Sequence, residues 1–110
     1  MIGGVIVSAQ STASQKVVVR ALGPSLTRFG VSDALQDPIL ELHNAQGATI
    51  AFNDNWKSSQ QANIQALGFA PGDDRESAVL TNLVNGNYTA IVRGKNGTTG
   101  VGLIEVYSLP

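Results

Sequence analysis

The chain has 110 residues, seven basic and eight acidic side chains for a formal net charge of −1, and no cysteine. That length suits one domain over residues 1–110, with a core built without metals or disulfides; the missing cysteines exclude a disulfide framework, a thiol nucleophile and a thiolate metal site. Charge this balanced, with no run of one sign, speaks against nucleic acid as a partner.

Charged residues make up only 14%, against about 25% in ordinary domains. The polar surface comes instead from 31 Ser, Thr, Asn and Gln residues. Such a surface repels its neighbours weakly, so a homo-oligomer or filament is physically cheap to form.

In chain order, Ile2 to Val7 reads as a first strand. The run is too short to cross a bilayer and lacks a basic leader, so no membrane insertion is expected; for an exported protein the signal lies upstream. The strand opens the chain with nothing before it. Ile2, Val5 and Val7 are therefore the candidate self-association residues, offering an edge that another copy can pair. Lys16 to Leu22 is a second strand. Side chains alternate faces along a strand, so the unbroken Val17, Val18 and Val19 imply cover on both faces and a central position. Gly23 and Pro24 end it, and one or two helical turns follow between Pro24 and Gln36.

Pro38 to His43 and Ala48 to Phe52 flank Asn44 to Gly47 and read as a hairpin, with Gly47 free to take the positive φ of a short loop. A short helix over Gln60 to Leu67 is expected, capped by Ser58 or Ser59, closed by Gly68 and burying Ile64 and Leu67. Ser77 to Leu83 is another strand. Asn87 to Gly94 and Gly100 to Ser108 then alternate apolar and polar residues around Lys95 to Thr99, which reads as a closing hairpin. About seven short strands with one helix and regular turns predict an all-β fold, an antiparallel β-sandwich or jelly roll.

Asn53, Asp54 and Asn55, with Asp73, Asp74 and Glu76, form the densest group of oxygen-bearing side chains, in loops flanking the helix. Calcium suits such ligands, six to eight at a time, and is the one cofactor this set suggests; hydrogen bonds to turns and caps are the plainer use of the same residues. Trp56 follows this corner. Its bulk favours burial, with the indole N–H on a loop carbonyl; exposed, it would be the ligand-binding residue, stacking on a polysaccharide. His43 is the sole histidine, and Ser25 lacks the strained elbow of a nucleophile, so a Ser-His-Asp relay is not expected. Arg20, Arg75 and Arg93 suit cross-strand pairs with Glu41, Glu76 or Glu105. Asn87 and Asn96 each begin an Asn-x-Thr glycosylation pattern.

Two stretches, Asp37 to Asn55 and Asn85 to Arg93, resemble the bacterial pre-peptidase C-terminal (PPC-like) domain, with its order of strand, Gly turn, strand, Asn-Asp and later Gly-x-Tyr-x-x-x-Val. Lys16 to Leu26, Asn53 to Trp56 and Glu76 to Ala78 are similar to a module found in tandem in large secreted bacterial proteins, and this likeness covers most of the chain. The resemblance implies an extracellular or cell-surface β-sandwich without enzymatic activity, built into larger structures. Collagen-binding relatives of the PPC-like domain use acidic loop residues for calcium. In the tandem module a further strand commonly precedes the equivalent of Ile2. Its absence here implies strand sharing between copies. The leading expectation is thus a self-associating fibre or array module, and the alternative is an accessory carbohydrate- or protein-binding module.

Overall fold

A computed structural model describes residues 2–9 and 14–109, the first segment by its backbone alone. Seven strands run in chain order: β1 (Ile2–Ala9), β2 (Gln15–Leu22), β3 (Pro38–His43), β4 (Thr49–Asn53), β5 (Ser77–Leu83), β6 (Gly86–Gly94) and β7 (Leu103–Ser108). One six-residue helix, α1 (Gln61–Ala66), lies between β4 and β5. The strands form two antiparallel sheets, ordered β1-β6-β3-β4 and β5-β2-β7. The expected all-β, sandwich-like character is therefore present.

The core follows from strand alternation. Val17 and Val19 of β2, Val79 and Leu83 of β5, Leu40 and Leu42 of β3, and Ala90 and Val92 of β6 all turn inward and form one buried cluster between the sheets. Each fully buried Leu or Val contributes about 1.5–3 kcal/mol over its exposed state. Val18 points the other way yet has no solvent exposure. Its ladder neighbours explain this: Leu80 packs on the Trp56, Ile64 and Ala78 cluster, and the Tyr107 ring lies 4.8 Å from Phe69. The valine triplet is thus covered on both faces, and β2 is the central strand of its sheet.

The Pro38–His43 and Thr49–Asn53 hairpin forms as expected, with Gly47 at φ 82°. Pro24–Phe29 is a 3₁₀ turn closed by Gly30 at φ 88°. The helix differs in detail. Its N-cap is Gln60, with no side-chain cap, because Ser58 Oγ donates instead to the Asn55 carbonyl at 2.7 Å. Ile64 is buried and Gly68 takes φ 81°, but Leu67 is 42% exposed, since a single short turn presents only one side chain to the sheet.

The closing hairpin is the larger correction. Strands β6 and β7 do not pair; they belong to different sheets. The reason lies in the edges: β1 and β3 occupy both sides of β6, so β7 has no ladder to join there and takes the second edge of β2. The segment between them crosses the end of the sandwich. Lys95 N–H donates to the Asp37 carbonyl at 2.9 Å, and Val101 exchanges bonds of 2.8 Å with Asp33 and Leu35. Gly94 permits the crossing, because a Cβ there would stand 2.0 Å from the Thr98 carbonyl oxygen.

The register sets Ile2, Val5 and Val7 opposite Arg93, Ala90 and Tyr88. Their side chains lie outside the described part of the structure. Replacing Gly94 by Ala forces that backbone contact apart and is expected to cost about 2 kcal/mol, in the range of overpacked cores. Urea unfolding checks it: the midpoint falls while the denaturant slope stays constant.

Candidate functional site

The four carboxylates among the six residues expected around calcium each meet donors of the protein itself. Asn53 is buried, accepting from Ala78 N–H at 3.1 Å through Oδ1 and donating to Ser58 Oγ at 3.4 Å. Asp54 takes Lys95 Nζ at 2.7 Å, Asp73 takes Arg75 Nε at 3.0 Å, and Asp74 takes Lys57 Nζ at 2.9 Å. Asn55 offers its carbonyl to Ser58. Among the described residues no three His, Asp or Glu side chains are grouped as a metal site would need. The local turn bond expected of such residues is seen at Asp73, whose Oδ1 accepts from Arg75 N–H at 2.9 Å; Asp54 and Asp74 are held in ion pairs, and Asn53 bonds to a distant strand.

Glu76 has no solvent exposure, and both of its oxygens are engaged. Oε2 accepts from Gly23 N–H at 2.8 Å, Ser25 N–H at 3.0 Å and Ser25 Oγ–H at 2.6 Å, while Oε1 accepts from Asp73 N–H at 3.0 Å. Its main chain also works: the carbonyl accepts from Trp56 N–H at 2.9 Å, and the N–H donates to the Asp73 carbonyl at 3.1 Å. One residue thus ties together the Gly-Pro-Ser loop, the Trp56 corner and the Asp73 turn. A buried carboxylate is tolerable only with such a set of donors.

Trp56 is 3% exposed, so its ring is packed and presents no face to a sugar. Its indole N–H reaches no loop carbonyl; Nε1 is buried without a hydrogen-bond partner. Lys57 Nζ lies 5.6 Å from the ring centroid. Asn87 and Asn96 are both exposed, and Asn96 sits at φ 57° in the turn after β6.

His43 does not sit in a relay. Its Nε2 faces both Glu41 Oε1 at 3.5 Å and Thr49 Oγ1 at 3.4 Å, while Nδ1 faces the Gly47 carbonyl at 3.3 Å. A hydrolytic relay needs the hydroxyl on one ring nitrogen and the carboxylate on the other. Arg20 pairs with Glu105 directly across the β2–β7 ladder, and Arg93 pairs with Glu41 at 3.2 Å. Arg75 pairs with Asp73 and not with Glu76, whose oxygens are already taken.

Three features had no signal in the linear sequence. Gln60 lays its side-chain amide along the outer edge of β5, donating to the Leu80 carbonyl at 2.7 Å and accepting from Leu80 N–H at 2.9 Å. With Asn53 on Ala78 N–H, it supplies that border with the bonds a further strand would make. Second, Ser77 Oγ lies 2.7 Å from the carbonyls of both Pro38 and Asp54, joining the sheets. Third, Asp37 and Asp54 are neighbours, and Oδ1 of each is buried without a donor. Burial, then the Asp54 charge, raises the Asp37 pKa above its ordinary value, while hydrogen bonding from Arg75 lowers that of Asp73.

Comparison with known proteins finds no matching family model, no matching curated protein and no matching solved structure.

Substituting Glu76 by Gln turns one acceptor into a donor facing N–H groups and is expected to cost about 3 kcal/mol, read by thermal or urea unfolding. The pH dependence has two opposed parts. Asp37 holds its proton more tightly when folded, so its contribution is full at low pH and is lost as pH rises through the raised pKa; Asp73 contributes above the ordinary carboxylate range and loses this as pH falls. Asp37→Asn is therefore expected to melt higher than the parent at pH 7, with the gap closing toward pH 3.

Proposed function

We propose that this chain is a non-catalytic extracellular module, of the PPC-like kind its sequence resembles, that associates with copies of itself along a sheet edge to build a fibre or surface array. The observation that carries this reading is the unequal treatment of the sheet borders. The β5 border is closed by the Gln60 and Asn53 amides. Along β7, among the described residues, no hydrogen bond reaches the outer edge from another segment, and β1 and β4 each have one strand neighbour. Unpaired N–H and C=O rows are templates for another strand, and soluble monomers ordinarily blunt them with charge, proline or cover.

The surface supports the same reading. Ile50 and Phe52 are exposed on β4, at 44% and 55%, and carry no charge to repel a second copy. A net charge of −1 adds almost no long-range repulsion. Different borders meeting head to tail give an open chain of subunits, the geometry of a filament.

Sedimentation velocity with hydrogen–deuterium exchange tests the proposal. Between about 1 and 100 μM the mean mass is expected to grow beyond the 11.5 kDa monomer, with amide exchange slowing along β7 or β1 and unchanged along β5. A monomer throughout that range, with exchange independent of concentration, refutes it.

A further inference from the structure

The 3₁₀ turn Pro24–Phe29, the segment around Gly72 and the outer face of β2 and β7 enclose a pocket of about 590 Å³. That volume lies in the range of small-ligand sites, which are mostly apolar with a few placed polar groups. Its apolar lining is Leu22, Leu26, Leu103 and Phe29, with Ala70. Phe29 is 78% exposed and Leu103 43%, the former the most exposed large apolar side chain among the described residues.

Two guanidinium groups line this pocket, and they differ in state. Arg20 is consumed: it pairs with Glu105, donates to the Phe69 carbonyl at 3.3 Å and lies 5.6 Å from the Tyr107 centroid. Arg28 has no acidic partner within ion-pair distance and no hydrogen bond among the described residues. It is nonetheless seated. A Cβ at residue 72 would stand 2.7 Å from an Arg28 terminal nitrogen and 3.3 Å from Ser25 Cβ, so the glycine leaves the slot in which the guanidinium rests. With Glu105 offset by Arg20, the lining carries one uncompensated positive charge beside an apolar wall.

We infer that this pocket binds an organic monocarboxylate, its charge on Arg28 and its aliphatic or aromatic body against Leu103 and Phe29. Guanidinium donors match a carboxylate in two parallel bonds. Two other pockets among the described residues fit less well. The one beside Lys95 has its cations Arg93 and Lys95 already paired with Glu41 and Asp54, and the one beside His43 is lined largely by Asn, Gly and Thr. The site does not depend on self-association, so it holds for a monomer as well as for an array.

Titration of the intact 110-residue chain with octanoate, followed by calorimetry and amide chemical shifts, tests the inference. Saturable binding is expected, with the largest shifts at Gly72 and Leu103, and octan-1-ol is expected to bind at least about tenfold more weakly, equivalent to one carboxylate–guanidinium interaction. Arg28→Gln is expected to remove that preference for the acid over the alcohol, and Arg28→Lys to retain part of it. Arg28 is exposed, so both variants should fold, which circular dichroism checks. A short peptide ending in Phe, with free or amidated C-terminus, separates the sources: binding of the free-ended peptide above octanoate identifies a polypeptide terminus, and the reverse a free acid. No saturable binding of octanoate or peptide by the folded parent at millimolar concentration overturns the inference. So does Arg28→Gln binding octanoate as tightly as the parent.

Discussion

The rest of the structure depends on one buried carboxylate. Glu76 sits immediately before β5 with no exposure, and burying such a group is tolerable only when donors surround it. Those donors come from Gly23, Ser25 and Asp73. Meeting its requirement therefore fixes where the Gly-Pro-Ser loop leaves β2, how the Pro24–Phe29 turn begins and where the acidic loop turns back. Gly23 is part of the same constraint, since a Cβ there would stand 1.9 Å from the Leu35 carbonyl oxygen. The pocket that contains Arg28 lies against this loop, so its wall is positioned by Glu76 at one remove.

A second constraint is the arithmetic of strand edges. Each strand has two hydrogen-bonding borders, and a seven-strand, two-sheet arrangement leaves four outer ones. Here β5 is closed by side-chain amides that copy a strand's bonding pattern, a device that protects the border without burying more apolar area. The treatment is selective: among the described residues no comparable side-chain amide lies along the outer edge of β7. A net charge of −1 adds little long-range repulsion between molecules.

The two proposals meet at β7 but draw on different groups of it, the main-chain edge for association and the outward side chains Leu103 and Glu105 for the pocket. Association concerns main-chain groups at the sheet borders, with the uncharged Ile50 and Phe52 on β4. The Arg28 pocket concerns one guanidinium and its apolar neighbours on an outer face. An array whose subunits each hold a small acid, and an isolated domain that holds one, are both consistent with this separation.

Local pattern alone determined a good deal about this protein. The valine triplet implied cover on both faces, Gly47 marked its hairpin loop, and the extents of β3 and β5 followed from apolar runs between turn residues, because these depend on neighbours within a few positions. Arg20 with Glu105 was legible as a charge pair of the right kind, though not which strands would bring them together. Tertiary structure decided what depends on distant competition. The alternation around Lys95 to Thr99 looks the same whether its strands pair or part, and only the occupation of both β6 edges by β1 and β3 sends β7 to the other sheet. The acidic loop residues read as caps or, less plainly, as ion ligands until their partners are known; Arg75 is a local partner of Asp73, whereas Lys95, Lys57 and the Gly23–Ser25 backbone are brought in by the chain's long-range closure. Periodicity records which side of a strand is apolar; it carries no record of which border is already taken.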